Sequence, residues 1–290
     1  ARVYCIEASR MAQSIQSLAE ANGWADRVVI VNRVLQDVRE SDIPEKVDCI
    51  ISETLGNLLF AERGLETAVI ARQRFLKPGG KMFPAKASLC LAAFADVAAH
   101  RTAGIVASHP WSKKDFLGID LSPLEEEARR QSYRRPLHNQ FHPDVLKAGT
   151  HVEEFDLRTL RSEDLASFKV AYSFAAKETC VLHGLAAWFE VHFEGSSRSV
   201  ILSTSPWDTL THWWQTRILV QQPLGVNSGQ VVSGELSFVA SSSNSYECRL
   251  SMEAGGVRRE SESVALDDMD ASGQQPRFAI QQLSQQPRFA

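Results

Sequence analysis

The sequence predicts an α/β protein in two unlike parts. Up to about residue 84 it reads as a parallel sheet with helices, and from there to about residue 254 mostly as antiparallel β. Two observations carry this. In the first part, short and continuously apolar runs alternate with segments of helical periodicity, the pattern of parallel strands covered on both faces. In the second, nearly every segment from about 150 onward reads as strand, with Gly, Ser, Asn and Pro between strands, which suggests a sandwich or barrel.

Val3-Tyr4-Cys5-Ile6 is the first strand and stops at Glu7. Ser9 can cap a helix carrying Met11, Ile15, Leu18 and Ala19 at spacings of three and four, and Asn22-Gly23 ends it. Val28–Val31 is the second strand, and Val47–Ser52 is the third, stopping at Glu53. Leu65, Val69, Ile70 and Leu76 mark a helix over 61–76, terminated by Pro78-Gly79-Gly80. After Phe83-Pro84 the pattern changes, and 86–95 reads as a long strand. Residues 96–135 are mixed and partly helical. There Ser122 is placed to cap, with Pro123 at the first helical position and Glu125 completing a capping box. Strands are then expected at Phe168–Phe174, Trp188–Phe193, Ser199–Leu202, Gln215–Val220, Glu235–Ala240 and Tyr246–Met252. Residues 255–290 are polar and Gln/Ser-rich, carry QQPRFA at Gln274–Ala279 and Gln285–Ala290, and are expected to be disordered.

The 290 residues are 44% hydrophobic and carry 31 basic against 35 acidic side chains, a net charge of −4. Neither nucleic acid nor an anionic membrane has a charge excess to attract it, whereas a cationic substrate remains open. The most apolar run, Leu89–Ala99, is interrupted by Asp96 and is too short to span a bilayer. The opening ARVYCIEAS lacks the features of a secretory signal. The five cysteines are odd in number, widely spaced and without C-x-x-C, which reads as reduced, buried thiols in a cytosolic or nuclear protein. No Cys or His pair has zinc-ligand spacing, so no metal is expected.

Polar residues gather at the strand ends: Glu7, then Gln36 and Asp37, then Glu53. Ligands of open parallel sheets bind outside those carboxyl ends, and an acid there commonly accepts from ribose hydroxyls. A solvated carboxylate is the plainer alternative for Glu7. More informative is SETLGNLLFAERGLE, where Glu53 ends a strand and Glu62 begins a helix. Between them lie Leu55, Leu58, Leu59 and Phe60, apolar residues that can fold back and bring both acids to one cleft. Converging acids can bind a metal, act as an acid/base pair, or clamp a planar guanidinium through its five donors. Helix capping by Glu62 beside a merely exposed Glu53 is the alternative. Downstream, His212 lies in Thr211-His212-Trp213-Trp214, a setting more common for a core histidine than a catalytic one.

Together these segments resemble the protein arginine methyltransferases. VYCIEAS matches their strand ending in Glu, SETLGNLLFAE their double-acid loop, and THWWQ their Thr-His-Trp loop. FLKPGGKMFP, GIDLSPL and VLHGLAAWFEV fit as well, and the likeness is greatest to the coactivator-associated, type I, histone-arginine branch. The resemblance implies a Rossmann-like methyltransferase domain at 1–84. It implies an antiparallel β-barrel domain at 85–254, with a helical dimerisation arm inserted at about 96–146. It implies methyl transfer from S-adenosylmethionine to arginine in proteins such as histones or RNA-binding proteins, by a homodimer resident in nucleus or cytoplasm.

By position, Glu7 would hold the cofactor ribose, Leu35 would pack on adenine, and Gln36 and Thr67 would lie beside it. Glu53 and Glu62 would clamp the guanidinium, His212 and Leu55 would shape the substrate pocket, and Trp213 would pack behind the acidic loop. The family's Gly-x-Gly-x-Gly turn has no counterpart here, so the resemblance implies a chain that starts downstream of it. The helices that close over the cofactor, and the acidic partner of the Thr-His-Trp histidine, are likewise unmatched. Within the loop Thr54 stands for the usual Pro, Leu55 for Met, Asn57 for Tyr, and Gly64 for a larger residue. Leu55 leaves the dimethylarginine product type open. A catalytically inactive homologue acting as a regulatory subunit is the alternative reading.

Overall fold

The computed structural model describes residues 1–266. Strands β1 (Val3–Ile6) and β2 (Val28–Val31) pair in parallel, and helix α1 (Met11–Ala21) crosses between them. Ser9 Oγ accepts the Met11 N–H at 3.1 Å, so it satisfies a first-turn donor although Arg10 is the formal cap. At the other end the Trp24 N–H reaches Ala19 O, the Gly23 N–H reaches Glu20 O, and Gly23 sits at φ 68°, a Schellman closure. The helix buries Ala12 and Ala19, while Met11 and Leu18, expected to face inward, are exposed. A sheet of two short strands is too narrow to cover more than a small-residue stripe.

Strand β3 (Val47–Ile51) pairs in parallel with β4 (Leu76–Phe83), connected by α2 (Gly64–Phe75). The helix stops at Phe75 because Leu76 is already extended. Pro78-Gly79-Gly80 therefore does not terminate it. These residues lie in a register break of β4, which skips from Leu76 opposite Val47 to Lys81 opposite Cys49. The expected single parallel sheet is two separate pairs, β1–β2 and β3–β4. A small core of Val31, Leu35, Val38, Ile43 and Phe75 lies between them, and Arg74 donates to the carbonyls of Leu35 and Val38.

From Lys86 onward the chain builds two antiparallel sheets. The first has the order β6 (Leu137–Asn139), β11 (Gln215–Val226), β9 (Cys180–Glu194), β5 (Lys86–Phe94), β7 (His151–Asp156), with β10 (Ser199–Ser203) on β9. The second has the order β14 (Val257–Glu260), β13 (Tyr246–Ala254), β12 (Val231–Ala240), β8 (Ser167–Ala175), with β15 (Val264–Ala265) on β13. No continuous ladder closes them into the expected barrel among the described residues, and Ala148–Ala176 is an isolated bridge. The sequence expectation of disorder from 255 is also corrected, because β14 and β15 pair with β13. The two QQPRFA copies lie outside the described residues.

The period-two alternation of β5 divides the core. Ala87, Leu89, Leu91 and Ala93 enter the main cluster between the sheets. Cys90, Ala92 and Phe94 enter a second cluster that Ala103 of α3 (Val97–Ser108) and Tyr133 of α4 (Glu125–Tyr133) join. Asp96 caps α3 through the Ala99 N–H at 2.9 Å and pairs with Arg217 at 2.6 Å. Ser122 does not form the expected capping box. It sits in a 3-10 turn and bonds Asp120 through both its amide and its hydroxyl. All five cysteines are free thiols, and Cys49 is exposed rather than buried. Among the described residues no helix is long and apolar enough to cross a membrane.

Candidate active site

The carboxyl ends of the parallel strands gather polar side chains. Glu7 follows β1, and its Oε1 accepts the Ser9 N–H at 2.7 Å. Hydrogen bonds from the Ser9 hydroxyl and amide hold the Glu7 carboxyl below the usual carboxylate range. Asn32, which the sequence analysis missed, follows β2 and donates to the carbonyls of Glu7 and Ser9 at 2.7 and 3.0 Å. An Asn directly after a β-branched run was the signal available for it. Leu35 opens a 3-10 turn and is 4% exposed, committed to the small core beside Val38 and Ile43 rather than standing open as an adenine platform. Gln36 beside it is exposed, and Thr67 is half-buried on α2.

The loop leaving β3 is built differently from what its place in the chain suggests. Leu58, Leu59, Phe60 and Ala61 are buried in the main core of the two antiparallel sheets. The Phe60 ring lies 4.9 Å from Phe168, 5.1 Å from Phe238 and 5.2 Å from Phe155. This explains an apolar loop between two acids: the loop is a plug. Its path is tight. Leu58, Leu59, Glu62 and Arg63 all take positive φ, between 52° and 69°. A Cβ on Gly64 would lie 1.8 Å from Thr54 O, and one on Gly56 2.0 Å from Ala61 O, so both positions require glycine. Thr54 Oγ1 donates to Gly64 O at 2.8 Å and closes the neck.

Glu53 precedes this neck and Glu62 lies just inside its other side. Both side chains are exposed, and neither carboxylate has an ion pair or hydrogen bond to a described residue. The Thr-His-Trp segment reaches the same loop. Trp213 is buried, donates from Nε1 to Leu55 O at 2.7 Å, and meets Phe189 edge-on. His212 is exposed, so it is not a core histidine, and its ring centroid lies 3.9 Å from that of Trp213. Leu55 is half-buried against the main core. The sequence analysis also missed what stands behind Glu62. The Arg63 guanidinium forks onto Glu66 at 2.9 and 2.6 Å, Tyr246 OH lies 2.6 Å from Glu66 Oε1, and Asn244 Nδ2 donates to Glu62 O at 3.2 Å. Among the described residues no group of three or more His, Cys, Asp or Glu could hold a metal ion. Glu53 and Glu62 thus flank a loop whose Leu55 carbonyl is held by Trp213, the residue after His212.

An α/β part with polar strand ends, joined to an antiparallel β part that takes in the acid-bearing loop, is an α/β fold with an appended β region, the arrangement that the resemblance to methyltransferases implies. Comparison with known proteins narrows this. Residues 85–254, more than half of the chain, match the family model described as the arginine methyltransferase oligomerization subdomain. The chain is 38% identical over 253 residues to the probable histone-arginine methyltransferase CARM1 of Oryza sativa subsp. japonica, covering 87% of this chain and 47% of that protein. It is 36% identical over 257 residues to the histone-arginine methyltransferase CARMER of Anopheles gambiae, covering 89% of this chain and 40% of that protein. The chain thus spans about half the length of the curated relatives it matches or less. Among solved structures, Arabidopsis thaliana protein arginine methyltransferase 10 superposes with a TM-score of 0.79 at 24% identity, over 92% of this chain and 83% of that one. The Trypanosoma brucei PRMT1 enzyme-prozyme heterotetrameric complex with AdoHcy gives 0.75 at 24% identity, over 91% and 81%. At such identity the likeness is one of fold. The chain belongs to the protein arginine methyltransferase family.

Proposed function

We propose that this protein transfers a methyl group from S-adenosylmethionine to the guanidinium of arginine in proteins, histones among them. One observation carries the reading: two unpaired carboxylates, Glu53 and Glu62, flank a neck closed by the Thr54–Gly64 hydrogen bond. They would hold the guanidinium by charge-assisted hydrogen bonds and draw its positive charge toward the clamped nitrogens. One terminal nitrogen then keeps lone-pair character for attack. His212 and Leu55 shape the pocket, and Trp213 fixes the loop from behind through the Leu55 carbonyl. Positioning and electrostatics supply most of the gain in a displacement of this kind.

The acceptors at the strand ends fit the adenosine part of the cofactor. Glu7 would accept from the ribose hydroxyls, and the Gln36 amide oxygen from the adenine amine. Thr67 would lie near the ring, with Leu35 behind it as part of the core. When bound, the cofactor supplies an electrophilic methyl on its sulfonium. The protein would work as a homodimer through the segment at about 96–146, whose Val97, Ile105, Leu117, Ile119 and Leu124 are exposed. Its partners would be arginine-containing proteins in the nucleus or cytoplasm, RNA-binding proteins included, without direct contact to nucleic acid.

Glu53→Gln tests the reading in the full-length protein. Methylation of an arginine peptide should fall by at least about a hundredfold, with cofactor affinity unchanged. Equal activity would remove the clamp role, and competition by a lysine peptide would change the substrate class. A second reading, an inactive regulatory subunit, is favoured by the changes at Thr54, Leu55 and Asn57. Absence of S-adenosylhomocysteine binding to the full-length protein in a calorimeter would decide for it.

A further inference from the structure

Glu62 and Arg63 are consecutive non-glycine residues at φ 64° and 52°. Such conformations persist only where the surroundings over-determine them. Here the surroundings come largely from the other part of the molecule. Asn244, in the turn before β13, donates to Glu62 O at 3.2 Å. Arg63 is forked onto Glu66, a carboxylate only 8% exposed. Tyr246, buried at the start of β13, stands between Glu66 Oε1 and Leu165 O at 2.6 and 2.9 Å, with one hydroxyl proton for the two acceptors. Desolvation, then Glu66 beside it, raises the Tyr246 hydroxyl well above the usual phenol range, so it remains a donor. A buried carboxylate held by an arginine fork and a phenol is a rigid anchor. It stands one helical turn beyond Glu62, and Asn244 fixes the carbonyl of Glu62 itself.

We propose that Asn244 and Tyr246 are positioning residues for Glu62: the β region sets the backbone conformation that aims the Glu62 carboxylate at the substrate guanidinium. Neither side chain need touch substrate or cofactor. The proposal rests on the reading of Glu62 as half of the clamp, and the test separates the two.

The experiment measures kcat, KM for the arginine peptide and KM for S-adenosylmethionine on the full-length protein, with melting temperature alongside. Asn244 itself sits at φ 61°, so Asn244→Gly keeps a comfortable backbone and removes only the donor. Tyr246→Phe removes only the hydroxyl. Each should lower kcat about tenfold and leave the cofactor KM unchanged, since misaiming a reacting group costs rate more than binding. Asn244→Asp, which keeps the turn but offers no donor, should not rescue Asn244→Gly. If Tyr246→Phe does not fold, the surface change Asn244→Gly decides alone. Activity lost in Glu62→Gln but within about twofold of wild type in Asn244→Gly would overturn the positioning role and leave the clamp standing. A wild-type protein that neither binds S-adenosylhomocysteine nor transfers methyl would overturn the clamp reading and this proposal with it.

Discussion

The two parts of this chain use similar apolar strands to opposite effect. In the α/β part, Val3 is 49%, Val29 36% and Ile51 80% exposed, and the buried core is a handful of side chains around Leu35 and Phe75. In the β part, Leu89, Leu91, Leu182 and Phe238 are fully buried in one continuous cluster. The difference is one of partners rather than of hydrophobicity. A parallel strand needs cover on both faces and a neighbour on each edge. The two parallel pairs of the described residues have neither in full, whereas two facing antiparallel sheets cover each other. The acidic loop belongs to the first part by sequence and to the second by packing. The stability of the site should therefore follow the β part.

The largest expected effect tests that statement directly. Phe60→Ala deletes the centre of the plug, a side chain 1% exposed with aromatic rings on several sides. It should cost about 3–5 kcal/mol of stability, by transfer plus cavity, read by chemical denaturation. The loss should appear in the unfolding of the β part. A cost near that of a surface change, about 0.5 kcal/mol, would mean that the loop is not seated between the sheets.

This plug also marks how far the sequence could be read. The apolar run Leu58-Leu59-Phe60 between two acids was legible as a fold-back, because residue type and spacing are local properties. That the run enters the other part's core was not legible, because no periodicity in eleven residues says which distant surface receives them. Glu66, Tyr246 and Asn244 were missed for the same reason: a buried carboxylate looks like any helical Glu until its partners arrive from 180 residues away. Six strands from β8 to β13 were found, though short of their full length, because alternation fades where both faces are buried, as along β9, while the short β6 and β7 were missed. The split of the parallel strands into two pairs and the pairing of residues 257–265 depend on neighbours, so the pattern of each strand alone was silent about them.

An intermediate effect sharpens the comparison through pH. His138 of β6 bonds Thr216 Oγ1 at 3.0 Å, and burial drives its pKa down from 6.5 to about 4. The folded state holds it neutral while the unfolded chain protonates near 6.5, so the unfolded state binds more protons between those values. Its contribution is complete above pH 6.5 and is lost as pH falls toward 4. The loss should approach about 3 kcal/mol, measured by denaturation across that range. His183, also lowered by burial and then by His100, acts in the same direction. His138→Gln should flatten the slope. An unchanged slope would assign the acid sensitivity elsewhere, and the contrast between a buried β part and an open α/β part would lose its titratable marker.

The smallest expected effect examines the open side of the comparison. Ile51 and Leu91 are similar in size and both lie in strands, yet one is 80% exposed and the other fully buried. Ile51→Thr keeps the β-branched shape that suits a strand and removes only apolar surface already in water. The change should shift stability by no more than about 0.5 kcal/mol. A loss above about 1 kcal/mol would require that the Ile51 side chain be covered in the folded protein. The partner would then have to come from beyond the described residues, and the poverty of the α/β core would be a property of this portion of the chain rather than of the working molecule. The two outcomes therefore separate a part that is open by construction from one whose cover is supplied from outside it, which no measurement on the β part can do.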